Sequence, residues 1–285
     1  MRVAEDGKVW VRQSWLNDIM ICPERSRLSV TMPEWRIGSD ATHIGTAVHA
    51  GIEHYLTHDS ADACINKAVD ELERLIVEEK FRVNSTDGVD DMRMYTHMLM
   101  HTFLNDIAPH VVKGGRCEQK FGLKLYDLPT DESLPFDAQP AVWLGGTIDY
   151  IDPNGVVWDW KTAARKYSQG EKQRQSIQAT AYAIACVENG WSPGYPVDFK
   201  YGVMTRAKKS VGQVVPVVRT QQHVDWFKHQ VQSVVEPMMS IGFDRNWMAN
   251  DQHGLCSEKW CPYWSICKGS HISDQDNILK EDNNG

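Results

Sequence analysis

Seventeen residues constrain this chain more than any others: Gly145-Gly-Thr-Ile-Asp149-Tyr-Ile-Asp-Pro-Asn-Gly-Val-Val-Trp-Asp159-Trp-Lys161. Apolar and β-branched residues flank an Asp-Pro-Asn-Gly turn, and Asn and Gly tolerate the backbone angles that a tight turn needs. The segment therefore reads as two short strands, each ending in a carboxylate. Asp159 and Lys161 are one residue apart, so on a strand their side chains leave the same face. Two acids beside an amine can hold a hard divalent cation and steer an attacking water. The same Asp-x-Lys spacing also occurs as an ordinary surface ion pair, so the rest of the chain has to decide.

Composition narrows the setting. The 285 residues allow one large domain or two small ones, with 42% hydrophobic and 24% charged residues as in soluble globular proteins. No apolar run approaches membrane-spanning length and the N-terminus lacks a signal-peptide core, so an intracellular, cytoplasmic setting is expected. Seven cysteines there point to metal binding or buried thiols rather than disulfides. The net charge of −8 argues against a protein that coats DNA, yet it permits an enzyme with a local basic groove. Lys161, Arg165, Lys166, Lys172 and Arg174 follow the acidic pair, and Arg206, Lys208 and Lys209 form a second cluster.

Periodicity predicts a helix over 12–22 capped by Ser14, and another from about Thr46 to His58. Further helices are expected near 60–82 and 90–108, parted by the polar segment 84–88. A strand is expected at 116–126, a loop from Leu128 to Pro140, and then the two central strands. An alanine-rich helix over 173–188 closes at Asn189-Gly190. Strands near 197–205 and 213–219, a helix over 221–240 and a polar, disordered tail after Ser270 complete an α/β reading.

Other residues could join the acids. His49, in Gly45-Thr-Ala-Val-His49, could complete a divalent-metal shell, although a histidine on a helix is more often an ordinary hydrogen-bonding group. Gln178 and Tyr182 share a helical face and could bond phosphate or the lysine, or simply pack. Glu118 could steady a metal shell, but pairing with a lysine is the slightly favoured reading. Cys256, Cys261 and Cys267 lie within twelve residues, and Cys22 before Pro23 is the best-placed fourth thiol. Thiolates select zinc or iron–sulfur clusters, and a ligand this distant would staple the two ends of the chain together.

Taken in order, Cys22-Pro23, Gly45-x3-His49, Gly146-x2-Asp149, Asp159-x-Lys161, Gln178-x3-Tyr182 and the three C-terminal cysteines resemble the PD-(D/E)xK nuclease superfamily. More narrowly they resemble its RecB-like exonucleases with an iron–sulfur cluster, found among AddB-type recombination nucleases and CRISPR-adaptation nucleases with phage relatives. The first C-terminal gap is Cys-x4-Cys, where the family has Cys-x2-Cys. The resemblance implies a mixed central β-sheet flanked by helices within one nuclease domain over 1–270. A helical insertion at 46–110, a catalytic core at 116–240 and a cysteine-rich segment at 250–270 would make up that domain, with 271–285 as the tail. It implies that His49, Asp149, Asp159 and the Trp160 carbonyl bind Mg²⁺ or Mn²⁺, that Lys161 assists the water, and that Gln178 and Tyr182 contact DNA or brace the site. Cys22, Cys256, Cys261 and Cys267 would hold a structural [4Fe-4S] cluster, with zinc as the alternative occupant. The expected activity is exonucleolytic hydrolysis of single-stranded DNA or DNA ends, alongside recombination or CRISPR proteins; Trp35 and Tyr95 could stack bases on the path, although core packing is the commoner fate of such residues. The competing readings are a catalytically idle binding module, such as a decoy, and a zinc-stapled structural protein.

Overall fold

Branched and aromatic residues alternating with small ones make Ala141–Ile151 a strand, β6, and its two edges organise the molecule. In this computed structural model, which describes residues 2–3, 8–58, 60–79, 81–82, 88–129 and 140–268, one edge belongs wholly to β5, Arg116–Asp127. The pairing is antiparallel from Arg116 opposite Ile151 to Asp127 opposite Ala141, with a register shift between Lys124 and Tyr126.

The other edge is shared by two strands. Lys8–Val11, β2, runs parallel to residues 141–144, while Val157–Ala163, β7, pairs only with Tyr150 and Ile151. Residues 145–149 between them face a fork. The turn joining β6 to β7 is closed by Asp152, whose Oδ1 accepts from the backbone N–H groups of Asn154 (2.8 Å) and Val156 (3.0 Å). Gly155 supplies the left-handed residue there, at φ 80°. β7 continues parallel to Val197–Thr205, β8, which pairs antiparallel with Gly212–Arg219, β9. With Arg2–Val3, β1, on the outer edge of β2, the sheet has seven strands among the described residues. Parallel and antiparallel pairs are mixed, as expected, and a separate parallel pair joins Gly38–Ser39, β3, to Phe81–Arg82, β4.

Strand alternation gives each face its own core. One face buries Val142, Leu144, Ile148, Val157 and Phe199 beneath Gln13–Ile21 (α1), Ile177–Glu188 (α7) and Gln221–Ile241 (α8). The other buries Tyr150, Trp158, Trp160 and Met204 against Asp40–His58 (α3), Ala61–Glu78 (α4) and Val89–Thr102 (α5). Trp158 and Trp160 stack with centroids 5.4 Å apart. Rings of this size contribute about 4–6 kcal/mol each by area removed from water. The strand that carries Asp159 and Lys161 is thus fixed from behind.

Several elements differ from their sequence reading. Pro23 starts a second helix, Pro23–Thr31 (α2), because its fixed φ suits a first helical position, and Ser14 lies inside α1 rather than capping it. α3 begins at Asp40, so Gly45 is interior. The alanine-rich helix is broken: Gln169–Arg174 (α6) stops, and Ser176 caps α7 by accepting from the Ala179 N–H at 3.1 Å. β1 and β2 had no expectation at all. Most of 84–88, the centre of the 128–140 loop and the tail after Ser270 lie outside the described residues.

Candidate active site

The fork in β6 is where the chemistry gathers. Beyond Tyr150 the two strands part, and the ladder bond that β6 would give Trp160 is replaced by a side chain. The Trp160 N–H donates to Asp149 Oδ2 at 2.8 Å. From α3, the His49 imidazole donates through Nε2 to the Trp160 carbonyl at 2.8 Å, and its Nδ1 lies 3.6 Å from Asp149 Oδ2. Burial of the Trp160 ring and of the apolar face of α3 fixes this approach, since Val48 and Ile52 flank the histidine and are fully buried.

Glu118 completes the group. Cys117 pairs with Tyr150 and Gln119 with Ile148, so Glu118 stands across the strands from Asp149. Its backbone is at φ 49°, a left-handed value unusual for glutamate and of the kind that functional sites retain. Ligand atoms of His49, Glu118 and Asp149 all lie within 4.8 Å of one another. One imidazole and two carboxylates make a donor set suited to a divalent cation. Enclosure among protein atoms, and then repulsion from Asp149, push the Glu118 carboxyl up to about 7. A cation placed there would relieve that repulsion. Glu118 is the residue that the sequence reading weighed toward an ordinary ion pair, and pairing register was the signal needed to place it.

Asp159, expected among the ligands, stands beside this trio rather than within it. It is fully buried, its Oδ2 in contact with the Lys161 ammonium and its Oδ1 accepting from Gln178 Nε2 at 2.6 Å. Burial pushes its carboxyl up to about 6 against the pull of Lys161, with Asp149 adding repulsion. Lys161 is held above the ordinary lysine value: burial opposes its charge, but Asp159 and then Asp149 outweigh that. The Lys161 side chain is partly open to solvent, at 28% of its surface, and its ammonium reaches the Trp160 carbonyl at 3.5 Å.

α7 braces this pair. Gln178 Nε2 also donates to Tyr182 Oη at 3.2 Å, and Tyr182 is buried edge-on against Phe121. Grooves open on both sides of Lys161. One, of about 480 Å³, is lined by Thr42, Thr46, His49, Glu53 and Glu118. The other is lined by Gln13, Arg25, Arg36 and Gln178.

A second cluster lies at the end of the first helix. Cys22, Cys256, Cys261 and Cys267 line a single cavity with Tyr263 and Trp264. Its frame is polar and buried. Arg27 clamps Glu24 through two bonds of 2.8 and 2.6 Å, while Glu24 Oε2 accepts from the Trp247 N–H at 2.7 Å. Asn250 donates to the Ile21 carbonyl at 2.8 Å and, through its backbone, to Cys22 Sγ at 3.4 Å. Residues more than 220 positions apart are therefore held side by side.

Comparison with known proteins agrees with this architecture. A family model described as the PD-(D/E)XK nuclease superfamily matches residues 13–268. The crystal structure of a presumed exonuclease from Eubacterium rectale overlays with a TM-score of 0.57 at 11% identity, covering 91% of this chain and 92% of that one. The crystal structure of SSO0001 overlays at only 0.35, with 11% identity over 94% and 88% of the two chains. No curated protein matches. The chain belongs to the PD-(D/E)XK nuclease superfamily.

Proposed function

We propose that this member of the superfamily is a divalent-metal-dependent exonuclease that hydrolyses phosphodiester bonds of single-stranded DNA or DNA ends. One observation carries the reading: His49, Glu118 and Asp149 gather their ligand atoms within 4.8 Å, directly beside the Asp159–Lys161 pair. The donors suit Mg²⁺ or Mn²⁺, which His49, Glu118 and Asp149 would hold with the Trp160 carbonyl beside them. A cation held there supplies Lewis acidity and a more acidic water.

The chain's own groups do the rest. The Lys161 ammonium points a donor at the attacking water and offsets negative charge developing on the phosphate. Asp159 keeps that ammonium in place through Oδ2, and would join His49, Glu118 and Asp149 in holding the cation. Gln178 fixes Asp159, and the burial of Tyr182 favours bracing over contact with the strand. Tyr95 and Trp260 line a groove with Arg25, Arg36 and Arg206 between the α3–α5 helices and the cysteine-rich segment, which supports a strand path there.

The four-cysteine cavity belongs to the same reading as the seat of a structural [4Fe-4S] cluster. Four thiols lining one cavity suit such a cluster, with zinc as the alternative occupant. Motif order supports end-directed action and a recombination or CRISPR setting.

End-labelled single- and double-stranded DNA incubated with purified protein and Mn²⁺ tests the reading. Wild type should shorten the labelled strand, and Lys161→Ala should lose at least about 100-fold in rate, in line with removing one preorganised electrostatic contact. Full activity in Lys161→Ala, or none in wild type, would overturn it.

A further inference from the structure

The face of β5 and β6 that carries the acids does not end at them. Register pairs place Lys120 beside Thr147 and Gly122 beside Gly145, two and four residues from the Glu118–Asp149 pair. All of these share one face of the sheet. Across the fork, Trp10 on β2 leans its indole over the two glycines. A Cβ on Gly122 would sit 2.8 Å from Trp10 Cη2, and one on Gly145 3.1 Å from Cε3, so the two glycines let this edge of the ring approach the backbone closely. The indole is thus seated against the glycines and against Trp143, with ring centroids 5.5 Å apart, and it lines a groove of about 920 Å³ along the open edge of β6.

Three cations line the same groove: Arg12, Arg36 and Lys120. Among the described residues no carboxylate lies within salt-bridge range of any of them, whereas Asp18, the acid of this groove, is paired with Arg25 at 3.5 Å. In a chain of net charge −8 this concentration of unneutralised cations is local. Arg36 also lines the recess in which Lys161 and Gln178 sit, so the groove leads to the reactive pair. Four strand residues separate Asp149 from Gly145, about 14 Å, which is the length of about four stacked nucleotides at 3.4 Å and fewer in a stretched strand.

We propose that this groove is a subsite for a single polynucleotide strand running from the reactive pair, with one base stacked on Trp10 and its phosphates held by Arg12, Arg36 and Lys120. A fixed indole beside a row of cations is the arrangement by which proteins hold single strands without reading sequence. The inference rests on the nuclease reading and adds to it the binding residues on one side of the scissile bond.

Cleavage of a fluorescein-labelled oligothymidylate in Mn²⁺ provides the test, with KM and kcat measured as salt is raised. Trp10→Leu keeps an apolar cover on the glycines but removes the π face. It should raise KM about tenfold, within the range of one base–aromatic stack, with kcat within about twofold. Trp10→Phe should restore most of the loss. Arg36→Gln and Lys120→Gln should each flatten the dependence of log KM on log salt by about 0.7, the increment for one contact to single-stranded phosphate. If Trp10→Leu does not fold, the two salt slopes decide alone. Wild-type KM in Trp10→Leu together with unchanged salt slopes would overturn the subsite while leaving the nuclease intact. Absence of cleavage by wild type would instead remove the reading beneath it.

Discussion

Replacing Glu118 by glutamine should make the metal-free protein more stable and the metal-loaded protein less responsive. The cause is enclosure among protein atoms and then repulsion from Asp149 opposite, which together push the Glu118 carboxyl from an ordinary 4.5 to about 7. At about 1.36 kcal/mol for each tenfold change in acidity, full shielding would make ionised Glu118 cost about 3.4 kcal/mol. The side chain is exposed, so solvent screening reduces this to about 1 kcal/mol. The folded protein keeps the proton that the unfolded chain releases. Stability from this group is therefore fully present below pH 4.5 and is lost as pH rises through about 7. In EDTA at pH 8, Glu118→Gln should raise Tm by about 2 °C, and at pH 4.5 the gain should vanish. Manganese at one hundred times its Kd should stabilise wild type by about 2.7 kcal/mol. The variant, short of one carboxylate, should lose most of that shift at the same concentration. Thermal melts at both pH values, with and without Mn²⁺, read all four arms. A lower Tm for the variant in EDTA at pH 8, or an undiminished Mn²⁺ shift, would refute the placement of Glu118 at a cation seat.

Two further outcomes follow from packing. Gly122→Ala drives a methyl into the Trp10 ring at 2.8 Å, and should destabilise by about 1–3 kcal/mol in urea unfolding through overpacking; a neutral result would mean that the indole is not seated on the glycines. Arg27→Met leaves Glu24 buried without its two charged bonds, and should lower stability by about 3–5 kcal/mol while exposing residues 243–250 to proteolysis; wild-type resistance would show that this clamp does not hold the cysteine-bearing segment to α2.

What could be read from the chain was whatever is local in sequence. Asp159-x-Lys161 needs only strand alternation, Gln178-x3-Tyr182 only a helical turn, and the Asp152 turn only the preferences of Asn and Gly, and all three are found where that logic puts them. Glu118 escaped because its meaning depends on register: sliding β5 by one residue would turn its side chain to the opposite face. β2 escaped because four residues give too short a pattern, although Trp10 explains why glycines recur at 122 and 145. The break between α6 and α7 was hidden by good helix formers on both sides of Ser176, Glu, Lys, Gln and Arg before it and alanines after it, which do not reveal that a serine cap outweighs them locally.

The fork itself accounts for the position of the site. A strand shared along one edge by two partners must leave unpaired backbone where they part, and buried N–H groups do not tolerate that. At Trp160 the gap is closed by the Asp149 carboxylate, and on the carbonyl side by His49. The groups that repair the break in the sheet are therefore the groups offered to the cation. This coupling has a consequence for variants: Asp149→Ala removes a ligand and also orphans the Trp160 N–H, so lost activity there would mix two causes. Glu118 makes no ladder repair of this kind, which is why its replacement separates cation binding from the integrity of the fork.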